Sequence, residues 1–176
     1  MNGGVRFRFK QSVKHKDYLF FLYDFLLKRG YTNNNLPYYL KQNIGDKTYE
    51  AYRFYTYSYK NLLWLYKLFY NHNKKKIIPI NIEKYLTPLA LAIWIQDDGT
   101  WKTSGVRIAT NCFTLKEIEL LILALEKKFN FKCSINYFSK SQQYQLYIKN
   151  ESISHLINLV LPYFQKSMYY KLGLNI

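Results

Sequence analysis

Asp97 and Asp98 stand side by side at the end of an apolar run, Leu89 to Ile95, in a chain that carries 26 Lys and Arg against 11 Asp and Glu. Thr87-Pro88 ahead of the run is a helix start, with a hydroxyl to cap and a proline for the first turn. Gly99 behind it is a helix stop. The two carboxylates therefore fall on the C-terminal tip of a helix, where the macrodipole disfavours negative charge. Such a placement calls for a compensating cation. A divalent ion held by hard oxygen ligands supplies it, and Mg²⁺ suits a site completed by phosphate and water.

The rest of the composition says what such a tip would meet. A net charge of +15 over 176 residues favours a polyanion as partner, nucleic acid above all. Hydrophobic residues make up 49% of the chain, enough for a packed core. The apolar run Leu86 to Ile95 is too short to span a bilayer, so no membrane partner is expected. Cys112 and Cys133 lack the spacing of a zinc knot and are expected as reduced core thiols. His15, His72 and His155 are scattered and read as surface or boundary residues. Tyr, Phe, Ile, Asn and Lys, all encoded by A/T-rich codons, are abundant, which suggests an organelle genome.

The elements that must carry the acids repeat along the chain. Val5 to Tyr31 and Val106 to Phe131 each read as a strand, a polar link and an amphipathic helix. The segments beginning "YRFYTYSYK" and "YQLYIKNES" each read as a strand, a helix and a terminal lysine, Lys76 and Lys171. Leu19, Leu22, Phe25 and Leu26 recur at helical spacing, as do Leu115, Ile118, Leu121, Ile122 and Leu125, and both sets are expected in the core. Asn71 to Pro79 reads as the linker, giving halves 1–78 and 79–176. In Val5 to Lys10 the period of two puts Arg6, Arg8 and Lys10 on one strand face, opposite Val5, Phe7 and Phe9. Arg107, Ala109 and Asn111 share a face in the second repeat, as do Gln143, Gln145 and Lys149. Arg53 and Lys102 join this basic, amide-rich set, whose side-chain types grip phosphates and read base edges.

At this point "LAIWIQDDG", Leu91 to Gly99, resembles the LAGLIDADG motif of homing endonucleases, in the form found in organelle intron-encoded members. The flanks are similar as well: "KKIIP" and "YLTPLA" ahead, "NCFTLKEIE" behind and "SMYYKLG" near the end. The resemblance implies an α+β fold of two pseudo-symmetric αββαββα halves, with antiparallel sheets lying over double-stranded DNA. It implies Asp98 as the metal-binding catalytic acid. Asp97 would contribute to the metal or only shape the tip. Lys76 and Lys171 match the basic residues that flank the active site, and Gln142 and Gln143 are looser matches. The implied activity is Mg²⁺-dependent hydrolysis of phosphodiesters in a mitochondrial or similar setting.

The sequence departs from that family in one respect. Two halves imply two motifs, yet the first repeat opens at Val5 on what corresponds to a second strand, with no acid-tipped helix ahead of it. Ile93 also stands where the family name has a small glycine. Three explanations stay open: a shortened copy, completion by a second copy or another chain, or lost cleavage. Single-strand nicking, and a bare apolar face on Leu89 to Ile95, are expected for the chain as it stands. A maturase-like role on intron RNA is the alternative function, and a non-cutting DNA-binding regulator is the third.

Overall fold

The computed structural model describes residues 3–139 and 142–174. The chain forms two compact units, Met1–Lys67 and Leu68–Ile176. Packing thus divides ahead of the expected linker, because Ile78 is tied into the second unit by its amide, which donates to Glu117 at 3.1 Å.

The first unit is a three-stranded antiparallel sheet under one helix. Strands β1 (Arg8–Ser12), β2 (Tyr38–Ile44) and β3 (Lys47–Tyr55) pair in the order β1-β3-β2. Helix α1 (Lys16–Leu27) lies between β1 and β2 in sequence. Its Tyr18, Leu19, Leu22 and Tyr23 are buried, and it packs on Tyr52 and Phe54 through edge-on rings of Phe20 and Tyr23, 5.7 and 5.5 Å between centroids. Phe25 and Leu26 are only half-buried, and tyrosines replace them at the centre of the core. The first strand begins later than expected: Val5 makes an isolated bridge to Tyr59, and the continuous ladder starts at Arg8. Helix α2 (Leu63–Phe69) follows β3.

The second unit holds four strands and the acid-tipped helix. Helix α3 (Pro88–Asp98) starts as expected, with the Thr87 hydroxyl accepting from the Ala90 amide at 3.1 Å. Strands β4 (Gly99–Lys102), β5 (Gly105–Ile108), β6 (Cys133–Phe138) and β7 (Gln143–Ile148) form the sheet β4-β5-β7-β6. Helix α4 (Leu115–Phe129) buries Ile118, Leu121, Ala124, Leu125 and Phe129. Leu115 does not join them. It is the first residue after the Thr114 cap and is 39% exposed. Helix α5 (Ile153–Val160) and the 3₁₀ turns to Leu172 close the unit. The described residues thus form one three-stranded and one four-stranded sheet.

Leu89 to Ile95 do not form a bare apolar face. Leu91, Ala92 and Ile95 are fully buried, and the other four residues of the run are half-buried. Cys112 is exposed rather than in the core, because it lies in the loop before α4, while Cys133 is half-buried on β6; both are free thiols. His72 and His155 are exposed, and His15 is half-buried. Among the described residues no helix is long and apolar enough to cross a membrane.

Candidate active site and nucleic-acid surface

The helix stop at Gly99 works differently from an ordinary glycine cap. Gly99 is extended, φ −78° and ψ 151°, so no left-handed turn requires the glycine. Instead a Cβ at this position would stand 2.5 Å from the Ile95 carbonyl oxygen. The chain therefore runs from α3 straight into β4, with the carboxylates at the joint. The Asp98 carbonyl accepts from the Ala109 amide at 3.0 Å, which ties the tip to the strand partner of β4.

The fixed cation at this tip is a lysine far along the chain. Lys171 is 9% exposed, and its Nζ donates to the carbonyls of Gln96 at 2.5 Å and Asp97 at 3.0 Å. These are orphan carbonyls of a helix end, where positive charge is favoured. Burial pushes the Lys171 ammonium below the ordinary lysine range, and Asp97 and Asp98 pull it back up. Asp98 is exposed by area, yet its surroundings desolvate it enough to push its carboxyl up, while Lys76 and Lys171 draw it down. Lys76, Asp97, Asp98 and Lys171 are thus brought to one end of α3. Gln96 also matters here, though its type and position gave no hint of it. It is 1% exposed, its Nε2 donates to the Ala92 and Tyr163 carbonyls, and its Oε1 accepts from the Gln165 amide at 2.9 Å. That buried amide fastens α3 to the segment that brings Lys171.

The donor set at the tip fits a divalent cation. No cluster of three or more His, Cys, Asp or Glu exists among the described residues, so protein would supply one or two carboxylates. Water and phosphate would complete the coordination, as Mg²⁺ accepts.

The open sheet faces follow the alternation read from sequence. Residues opposite one another in an antiparallel ladder share a face. In the first sheet Arg8 pairs with Tyr55, and Lys10 with Arg53 and through it Tyr38, all on the face away from α1. Arg6 lies ahead of the ladder but sets its guanidinium 4.9 Å from the Tyr55 ring centroid. A groove of about 730 Å³ opens there, lined in part by Lys10, Arg53 and Gln42. In the second sheet Thr100 pairs with Arg107, Arg107 with Tyr147, and Asn136 with Gln145. Lys102, Arg107, Asn136 and Lys149 line a shallower pocket of about 490 Å³. Asn111 falls beyond β5 but stays on that face, its Oδ1 accepting from Gln145 Nε2 at 2.8 Å. Gln143 is opposite Phe138 at the far end of the same face. Ser134, Asn136 and Tyr147 belong to this face without having been singled out. The alternation in "CSINYF" marks the first two.

Comparison with known proteins finds relatives in both sequence and structure. The model of the LAGLIDADG DNA endonuclease family matches residues 1–156. The intron-encoded endonuclease ai4 of Dictyostelium discoideum is 43% identical over 157 residues, 87% of this chain and 99% of the relative. The cytochrome b mRNA maturases bI2 of Debaryomyces hansenii and Saccharomyces cerevisiae are each 38% identical over 97% of this chain, which spans 65% and 42% of their lengths. Among solved structures, the homing endonuclease I-WcaI bound to its DNA recognition sequence is similar with a TM-score of 0.83 at 28% identity, over 97% of this chain and 76% of that one.

Proposed function

Because the chain belongs to the LAGLIDADG DNA endonuclease family, we propose that it binds duplex DNA on its basic sheet faces and hydrolyses phosphodiesters at a specific site, with Asp98 as the catalytic carboxylate. The observation that carries this reading is the end of α3, where Asp98 lies in the field of Lys76 and Lys171. Asp98, with Asp97 beside it, would hold a divalent ion such as Mg²⁺. When bound, such an ion supplies Lewis-acid stabilisation of phosphoryl oxygens and a more acidic water.

The chain's own groups do the rest. Lys171 fixes the carbonyls of the helix end, so Asp98 is held on a rigid element rather than a loop. Lys76 and Lys171 present positive charge where charge builds on the phosphate. Arg6, Arg8, Lys10 and Arg53 on one sheet, with Lys102, Arg107, Asn111, Gln143, Gln145 and Lys149 on the other, take phosphates and base edges. The similarity to an endonuclease solved on its DNA supports the duplex-binding part of this reading.

Supercoiled plasmids carrying a randomised insert test the reading. Cut or nicked inserts that share one sequence in Mg²⁺, and none in chelator, support it. No cutting of any insert, or cutting that survives Asp98→Asn, overturns it.

A second reading rests on the two maturase relatives, which match along 97% of this chain. In it the same faces bind intron RNA and Asp98 has no cutting to do. Competition between the selected duplex and a group I intron transcript separates the two. The transcript named in these relatives, cytochrome b mRNA, supports a mitochondrial setting.

A further inference from the structure

Arg6 and Arg53 both lie over tyrosine rings on the open face of the first sheet, and Arg53 is hydrogen-bonded there as well. Arg53 lies on β3, the central strand, opposite Lys10 on β1 and Tyr38 on β2. Its Nε donates to the Tyr38 hydroxyl at 2.6 Å. Its guanidinium carbon stands 4.9 Å from the Tyr38 ring centroid and 5.2 Å from that of Tyr55. The hydrogen bonds among the described residues engage Nε and neither terminal amino group of Arg53. Neither ion pair of the described residues involves it. Glu50, the one acid within these three strands, is out of phase with Arg53 and accepts from the Tyr39 hydroxyl instead.

We propose that Arg53 reads a guanine in the major groove of bound duplex, and that Tyr38 and Tyr55 hold it in the reading geometry. The proposal rests on the duplex-binding reading above and adds the identity of one base pair in the site. Guanine shows two acceptors, O6 and N7, side by side on its major-groove edge, and the paired terminal amino groups of an arginine match them. Tyr38 takes Nε, so the end of the fork is the edge left to donate. A free arginine loses rotamer freedom when it docks, whereas Arg53 has lost it on folding.

The neighbours on the same face show the contrast. Arg8 and Lys10 are exposed, and among the described residues neither is stacked or hydrogen-bonded. Mobile cations suit phosphates, which need charge near the backbone and carry no sequence information. The face thus separates the hydrogen-bonded, aimed donor pair of Arg53 from Arg8 and Lys10, cations that serve any sequence.

Selection from a library of randomised duplexes, with affinities then measured across a salt series, tests the assignment. The wild-type chain should select a G·C pair at a position where Arg53→Lys, which keeps the charge and loses the fork, accepts all four pairs. The discrimination lost there should be roughly 5- to 150-fold, with the salt slope nearly unchanged. Tyr38→Phe keeps the ring, removes the acceptor of Nε, and should weaken the same preference without moving others. Arg8→Ala should lower affinity for every sequence and reduce the salt slope by about one. A base preference identical in wild type, Arg53→Lys and Tyr38→Phe overturns the guanine assignment alone. Failure of the wild-type chain to enrich any duplex overturns the duplex-binding reading with it.

Discussion

Lys171 Nζ lies 2.5 Å from the carbonyl oxygen of Gln96, so a buried ammonium closes the helix that ends in Asp98. The acid pair of the sequence demanded a cation, and here the protein supplies one before any ion binds. Lys171→Met should strand the carbonyls of Gln96 and Asp97 and leave two carboxylates against an uncompensated dipole. Loss of hydrogen bonds to a charged donor at a buried position costs about 1–3 kcal/mol. The urea midpoint should fall accordingly, and cleavage should fall with it. A variant as stable as the wild type would show that the contact contributes nothing.

Glu117 anchors the approach to Lys76. Its Oε1 accepts from the Ile78 amide, and its Oε2 accepts from the Thr114 amide and hydroxyl at 2.8 and 2.7 Å. Partial burial pushes this carboxyl up, but the donors from Thr114 and Ile78 outweigh it and hold it below the usual glutamate range. A carboxylate depressed in the folded state contributes stability above its unfolded pKa, about 4.3. That contribution is lost as pH falls through the folded value. Glu117→Gln should therefore flatten the acid limb of the stability curve, read by thermal melting between pH 3 and about 7. Thr114→Ala should cost about 1 kcal/mol through the lost cap.

The turn between β4 and β5 is strained. Thr103 and Ser104 both have positive φ, 49° and 66°, in a two-residue hairpin where Asn-Gly is the favoured pair. The Tyr147 hydroxyl donates toward the Lys102 and Thr103 carbonyls at 3.1 and 2.9 Å and holds the turn in place. Replacing Thr103-Ser104 by Asn-Gly should stabilise the chain by about 1 kcal/mol, since each non-glycine residue in this region costs of that order. Tyr147→Phe should act in the opposite direction. Urea denaturation of the two variants checks both signs.

The two thiols should behave differently. Cys112 is exposed in a loop, while burial pushes the Cys133 thiol up to about 12, with Glu126 adding to the rise. Only a thiolate attacks an alkylating reagent. At pH 8 iodoacetamide should modify Cys112 in the native chain and reach Cys133 only after unfolding. Peptide mass mapping before and after denaturant distinguishes the two sites.

These relationships divide by how local their causes are. Thr87-Pro88 and the acid pair stand within a dozen residues, so the sequence alone locates the helix and its tip. Alternation along a strand needs no partner either, and it put Arg8, Lys10, Arg107 and Gln145 on open faces. The capture of the tip by Lys171 spans 75 residues in sequence and depends on how the final 3₁₀ turn packs. The clamp on Arg53 depends on the register between β2 and β3, which brings Tyr38 opposite it. Gln96 looked like one more polar residue near a helix end, and its burial follows from the segment at Tyr163 and Gln165 that covers it. Residue type alone puts Cys112 inside and helical spacing does the same for Leu115, but Cys112 lies in the loop before α4 and Leu115 at its first position, where the chain is still at the surface.

The last expectation concerns Asp98 itself. Burial disfavours its charged form, and the helix dipole does the same, so Asp98→Asn removes a carboxylate from a position that opposes it. The melting temperature of the variant should hold or rise, and DNA affinity in the absence of metal should be unchanged or higher. Cleavage should vanish. Within the described residues α3 is the one helix ending in paired acids, so these residues bring one such tip to a duplex with two scissile strands. Supercoiled plasmid should therefore pass to nicked circle well before any linear product forms, and gel electrophoresis over time reads the order directly. If Asp98→Asn unfolds readily instead, the carboxylate is structural and loses its catalytic assignment. Direct conversion of supercoiled to linear plasmid by the wild type would mean that a second acid elsewhere completes the site.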